Sequence, residues 1–153
     1  MSTVFDCSVI DLPRDYNLSG SITALNNRVE IPFDVKRIYY LYDVPGGESR
    51  GGHAHKKLQQ LIIAAAGSFD LIIDDGEAKR TFQLNRPNVG VLMPSGLWRE
   101  LNNFSSGSIC LVLASEEYDE EDYIRVYREF QIFKKRSEEH TSELQSRQYL
   151  VCR

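Results

Sequence analysis

Through most of the chain, apolar side chains come in short runs separated by Gly, Pro and Asp. Val29 to Phe33 is a brief run ending near Pro32. Arg37 to Val44 reads R-I-Y-Y-L-Y-D-V, rich in aromatic and β-branched side chains, and stops at Pro45-Gly46-Gly47. Leu58 to Ala66 ends at Gly67. Phe69 to Ile73 leads into Asp74-Asp75-Gly76, a hairpin signal, and Lys79 to Leu84 returns from it. Val89 to Met93 stops at Pro94-Ser95-Gly96, and Ser108 to Ala114 is a further buried-looking run. Runs of this length between such joints predict β-strands. Several at close spacing predict an all-β sandwich or barrel. From Asp119 to Lys135 the period changes: Tyr123, Val126, Tyr127, Phe130 and Phe133 fall at helical spacing. Asp119, followed by acids, suits an N-cap, which predicts one short C-terminal helix.

After Phe133 the apolar period disappears. Arg136 to Arg153 reads R-S-E-E-H-T-S-E-L-Q-S-R-Q-Y-L-V-C-R, and its first eleven residues resemble the translation of a common sequencing-library adapter. Residues 136–153 are therefore set apart as an artefact of sequence assembly, expected to be disordered, and excluded from the fold reasoning. Residues 1–135 are expected to form a single domain, large enough to hold its own core. No internal repeat or linker divides them.

The net charge is −4, which argues against broad nucleic-acid binding. No apolar run approaches the roughly 20 residues needed to span a membrane. The start, M-S-T-V-F-D-C, lacks the basic and apolar parts of a signal peptide, so a cytoplasmic protein is expected. Cys7, Cys110 and Cys152 stand singly and give neither a zinc spacing nor a disulfide framework. Of the three histidines, His140 falls in the excluded segment, and the other two form His53-Ala54-His55.

Residues two apart on a strand face the same side, about 7 Å apart, so His53 and His55 share one space. Their setting resembles the cupin family, the double-stranded β-helix or jelly-roll barrel. His53-Ala54-His55 is followed at cupin spacing by Gln60 and Gly67, and Pro94-Ser95-Gly96 by Arg99 and Asn103. Two of the four cupin ligand positions differ. Gln60 stands where a carboxylate ligand is usual, and Arg99 where a third imidazole is usual. An amide is a weak ligand, and a guanidinium has no lone pair to give and repels a divalent cation. No metal or other cofactor is expected. Two imidazoles, an amide and an arginine instead suit an anionic or oxygen-rich ligand, with imidazole suited to acid–base work near neutral pH.

A narrower resemblance rests on Ile31-Pro32-Phe33 with Lys36 to Tyr40, Asp43 to Gly46, R-G-G-H-A-H-K at Arg50 to Lys56, Trp98-Arg99-Glu100 with Asn103 to Ser105, and Leu113 to Ser115 with Tyr118 to Arg125. These resemble, in order, the WxcM-like sugar-nucleotide 3,4-ketoisomerases (dTDP-4-oxo-6-deoxyglucose 3,4-oxoisomerases) of deoxysugar biosynthesis for surface polysaccharide or glycosylated products. The resemblance implies a metal-free shift of the ketone of a dTDP-linked 4-oxo-6-deoxyhexose from C4 to C3 through an enediol. It implies His53 and His55 as the acid–base pair. Tyr40 and Arg99 are expected to line the sugar pocket beside Gln60, with Arg37, Arg50 and Lys56 toward the pyrophosphate. Tyr39 and Tyr42 are expected on the other face of their strand, in the core or at a dimer interface, and Trp98 in packing. A homodimer through edge strands is implied as well. The stretch Asn17 to Asn27 departs from the family's usual Arg-Gly-x-Leu start, with Ser19 in place of Arg. Alternative readings are a sugar-nucleotide 3,5-epimerase, which needs a base and an acid on opposite faces of the ring, a non-catalytic sugar-binding cupin, and a metal-dependent oxygenase or isomerase, against which Gln60 and Arg99 argue.

Overall fold

Alternation along paired strands sorts the chain into two sheets that share one core. The computed structural model describes residues 1–151, with side chains as far as residue 139. Its strands are β1 (Ser8–Asp11), β2 (Asp15–Asn17), β3 (Gly20–Ile22), β4 (Arg37–Leu41), β5 (Arg50–His55), β6 (Gln60–Ala66), β7 (Phe69–Asp74), β8 (Lys79–Leu84), β9 (Val89–Met93), β10 (Trp98–Asn102), β11 (Ile109–Ala114) and β12 (Tyr123–Ile124), with one helix, α1 (Tyr127–Val151). One five-stranded sheet has the order β1-β9-β6-β11-β4 and the other β12-β5-β10-β7-β8, while β2 and β3 form a separate hairpin. Strand pairing in both sheets is antiparallel throughout. Ile62, Ala64, Val91 and Val112 of the first sheet pack with Phe69, Leu71, Ile73 and Leu101 of the second. Two antiparallel sheets closed over a shared core are the all-β architecture the sequence predicts.

Strand β6 reads as an apolar run because both of its faces are covered. Ile62 and Ala64 point into the barrel, while Leu61 and Ile63 pack outward against Leu12, Ile31 and Phe33. The segment Val29 to Phe33, predicted as a strand, is turns joined by one isolated bridge between Asn27 and Ile31. Pro32 removes a ladder donor, and Ile31 and Phe33 serve as a cover for β6 rather than as rungs of a sheet. Strands β1, β2, β3, β10 and β12 are not predicted by the hydrophobic pattern. They are short or carry mixed polar and apolar residues.

The helix begins later than its apolar period suggests. Asp119 caps a single 3-10 turn, Glu120–Asp122, accepting from the Glu121 amide at 3.0 Å. The chain then pairs as β12 with β5, and α1 starts at Tyr127. Ile124 and Phe130 pack with Ala54 and Trp98. The buried Lys134 ammonium donates to the carbonyls of Ser2 at 2.6 Å and Gly96 at 2.9 Å, tying α1 to the barrel. The helix runs on to Val151, so the backbone of residues 136–151 is helical where disorder was expected. That stretch has no Gly or Pro and several good helix formers. Its side chains from residue 140, and residues 152–153, lie outside the described residues. Among the described residues no helix is long and apolar enough to cross a membrane.

Candidate active site

Strand β5 lies between β10 and β12, and its first residues are shaped by what it crosses. Gly51 sits at φ 74, and a Cβ there would lie 3.6 Å from Arg99 Nη1. Glycine takes that backbone without strain, which lets β5 start close over the guanidinium. Beyond it, the side chains alternate. Ala54 faces outward into the Trp98 cluster. His53 and His55 are both buried on the other face, with ring centroids 4.9 Å apart in an edge-on contact.

Register places Arg99 of β10 opposite His53. Arg99 Nη2 lies 3.4 Å from His53 Nε2 and donates to the Tyr39 hydroxyl at 2.5 Å. His55 Nδ1 lies 3.2 Å from the Asp122 carboxylate. The Tyr123 ring packs against both imidazoles, at 5.1 and 4.3 Å between centroids, and its hydroxyl accepts from Arg37 Nη1 at 2.9 Å. Gln60 is buried on β6 in register with the inward Ile62 and Ala64.

Burial is the first cause that disfavours a charged imidazole here, and the Arg99 guanidinium is the second. Together they push His53 down to about 2. The same two causes lower His55, opposed by the Asp122 carboxylate. Both rings are therefore neutral at pH 7 and able to accept a proton. Arg99 is 1% exposed and makes no ion pair among the described residues. Its Nε and Nη1, with His55 Nε2 and Gln60 Oε1, are buried without hydrogen-bond partners there. A buried, unpaired guanidinium is costly, so the cavity is made for a ligand that brings oxygen atoms or negative charge. Among the described residues no group of three or more His, Cys, Asp or Glu is placed to hold a metal ion.

The fold brings His53, His55, Gln60 and Arg99 into the barrel interior, with Arg37 half-buried beside Tyr123. Arg50 opens β5 and Lys56 directly follows it, and both are exposed. Lys56 lines two outer grooves of ≈ 790 and ≈ 690 Å³. The first mixes Lys36, Lys56 and Lys57 with Glu116, Glu117, Asp119 and Glu121, so it has no single sign of charge. Tyr40 does not line the pocket. It is 58% exposed and packs beside Tyr42, with centroids 5.6 Å apart. Tyr39 takes the inward place, because it pairs with the core residue Val112 and β4 alternates from there. Tyr42 thus shares the outer side with Tyr40, not the side of Tyr39. Trp98 packs on Tyr127 and Phe130, as expected, and its indole N–H donates to Glu100 at 3.1 Å. Sequence reasoning missed Tyr39, Asp122 and Tyr123 as parts of the site. The last two lie in the motif Tyr118 to Arg125, where the helical period of the neighbouring residues concealed them.

Residues 5–135 match the family model described as FdtA: WxcM-like, C-terminal. A protein of Aneurinibacillus thermoaerophilus named TDP-4-oxo-6-deoxy-alpha-D-glucose-3,4-oxoisomerase is 43% identical over 122 residues, which cover 80% of this chain and 88% of the relative. The crystal structure of a 3,4-ketoisomerase from Helicobacter canadensis is 43% identical with a TM-score of 0.83, covering 85% of this chain and 98% of that one. A mutant of the 3,4-ketoisomerase QdtA from Thermoanaerobacterium thermosaccharolyticum, solved in complex with TDP-4-keto-6-deoxyglucose, is 35% identical with a TM-score of 0.85, covering 88% and 97%.

Proposed function

The chain belongs to the FdtA family of WxcM-like domains, and from that membership we infer that it is a sugar-nucleotide 3,4-ketoisomerase. It moves the ketone of a dTDP-linked 4-oxo-6-deoxyhexose from C4 to C3. The observation that carries this reading is the pair of neutral imidazoles 4.9 Å apart on one strand face, beside a buried guanidinium.

The chemistry needs no net change of atoms or electrons. A neutral imidazole takes the proton from C3 while the C4 carbonyl oxygen becomes protonated, giving the enediol. The O3 hydroxyl then loses its proton, C4 gains one, and the carbonyl stands at C3. Two imidazoles on one face serve neighbouring atoms, C3 and C4, in this exchange. We assign Arg99 the negative charge that develops on the enediolate oxygens, as an oxyanion site would hold it, with Gln60 and Tyr39 completing the sugar pocket. Arg37, Arg50 and Lys56 are left for the pyrophosphate. The guanidinium beside His53 opposes a divalent cation at that place, which supports a metal-free route. A 3,5-epimerase calls for groups on opposite faces of the sugar, whereas His53 and His55 stand together on one face of β5, which favours exchange between neighbouring atoms.

We propose in addition that the protein works as a homodimer, and that residues 136–153 are a translated adapter outside the functional domain of residues 1–135. Dimerisation is supported by the separate β2–β3 hairpin, whose Tyr16, Leu18 and Ile22 are exposed, and by the exposed Ile38 and Tyr40 on the outermost strand β4, with Tyr42 just beyond its end. A lone two-stranded hairpin is marginal in water, and an open sheet edge recruits a partner.

The test is proton NMR of the chelator-treated protein with dTDP-4-oxo-6-deoxyglucose in D2O. A 3-oxo product carrying deuterium at C4 is expected. Deuterium at both C3 and C5 would indicate epimerisation, and tight binding without exchange would indicate a binding module.

A further inference from the structure

One buried acid touches His55 and has no part in the scheme above. Asp122 closes the 3-10 turn before β12 and is 8% exposed. Its Oδ1 accepts from the Lys57 amide at 2.7 Å, and its Oδ2 accepts from the Leu58 amide at 3.3 Å. Oδ2 also faces His55 Nδ1 at 3.2 Å. A carboxylate bound by backbone amides is an acceptor only, so the ring nitrogen facing it must carry the proton. The Nε2 atom then holds the lone pair, and it is the buried ring nitrogen without a hydrogen-bond partner.

We propose that Asp122 is the positioning residue of His55: it fixes the Nδ1–H tautomer and presents the Nε2 lone pair to the substrate. This rests on the isomerase reading. When His55 Nε2 takes a proton, the imidazolium is stabilised through Nδ1–H by the same carboxylate. The groups acting on His55 are His53 on its own strand, Arg99 from β10, Arg37 from β4, the Tyr123 ring from β12, and Asp122. Asp122 is the anion among them. The arrangement repeats on a barrel the acid–imidazole logic by which a carboxylate sets the tautomer of a histidine base.

Asp122→Asn is the informative variant. Its single oxygen can keep the shorter bond to the Lys57 amide. Its NH2 then faces His55 Nδ1 and donates, which selects the opposite tautomer and places a hydrogen on Nε2. The expected result is a kcat lower by roughly 10²-fold with KM changed little. The acid limb of the pH–rate profile should move to lower pH, because the charge that favours the protonated ring is gone. A second measurement needs no variant: 15N NMR of the native protein should show His55 protonated at Nδ1 and bare at Nε2. A native His55 carrying its proton on Nε2 would overturn the proposal. So would a folded Asp122→Asn protein with unaltered kcat and pH profile, which would leave Asp122 as a brace for Lys57 and Leu58 alone. Native protein with the Nδ1–H tautomer but no isotope exchange would remove the isomerase reading while leaving the positioning of the ring intact.

Discussion

His53 and His55 show how one residue type is tuned by place. In the unfolded chain each imidazole titrates near 6.5. In the barrel, burial and the neighbouring Arg99 hold both below that value. The unfolded state thus binds protons that the native state refuses, and stability present above about pH 6.5 is lost as the pH falls. Between pH 7 and pH 5 the loss should be roughly 2 kcal/mol for each histidine. Urea unfolding at the two pH values would measure it, and His53→Asn should remove about half of the difference. An unchanged midpoint would mean that the rings are far more hydrated than their burial implies. Cys7 and Cys110 are buried thiols, pushed up to about 11 and about 12 chiefly by desolvation, so both are expected to be unreactive.

Among the elements, α1 holds the outer face of the strands that carry the site. Ala54 lies between His53 and His55, and its outward face packs in the cluster of Trp98, Ile124 and Phe130. Trp98 directly precedes Arg99, so the same cluster backs both β5 and β10. Phe130 is fully buried. Phe130→Ala should destabilise the protein by about 3–5 kcal/mol and lower kcat beyond any effect on KM, since the strands that aim His53 and Arg99 lose their backing. Thermal unfolding and steady-state kinetics on the one variant would check both. A stable variant with unaltered kcat would show that β5 and β10 hold their geometry without the helix.

For the whole molecule, the question is what covers the apolar surface outside the barrel. Leu18 at the tip of the β2–β3 hairpin is fully exposed, and Tyr40 and Tyr42 form an aromatic patch at the end of β4. A second copy is the occupant we expect. Sedimentation velocity should give a dimer for the native chain at micromolar concentration. Leu18→Asp combined with Tyr40→Asp should shift it toward monomer, with the unfolding transition of the barrel retained. A native monomer would remove the proposal and leave these residues as a surface for another partner.

Much of this was legible in the sequence, for reasons that are local. The strands Lys79–Leu84 and Val89–Met93 fall where the sequence predicts them, because turn residues bound them tightly. The H-A-H spacing fixed the shared face of the two histidines, because strand alternation is a backbone property. Gln60 and Arg99 are matched to the interior through the resemblance to the cupin frame, whose ligand positions they occupy. Only the tertiary structure decided which tyrosine of Tyr39-Tyr40 turns inward, since the parity of β4 is set by its pairing with β11. It also decided that Asp122 and Tyr123 belong to the site. Both are distant in sequence from His55, and they reach it because β12 pairs with β5 before the helix begins. Composition and period record what a segment prefers by itself. They do not record which strand it lies beside, and that neighbour determines which way a side chain faces and what it can touch.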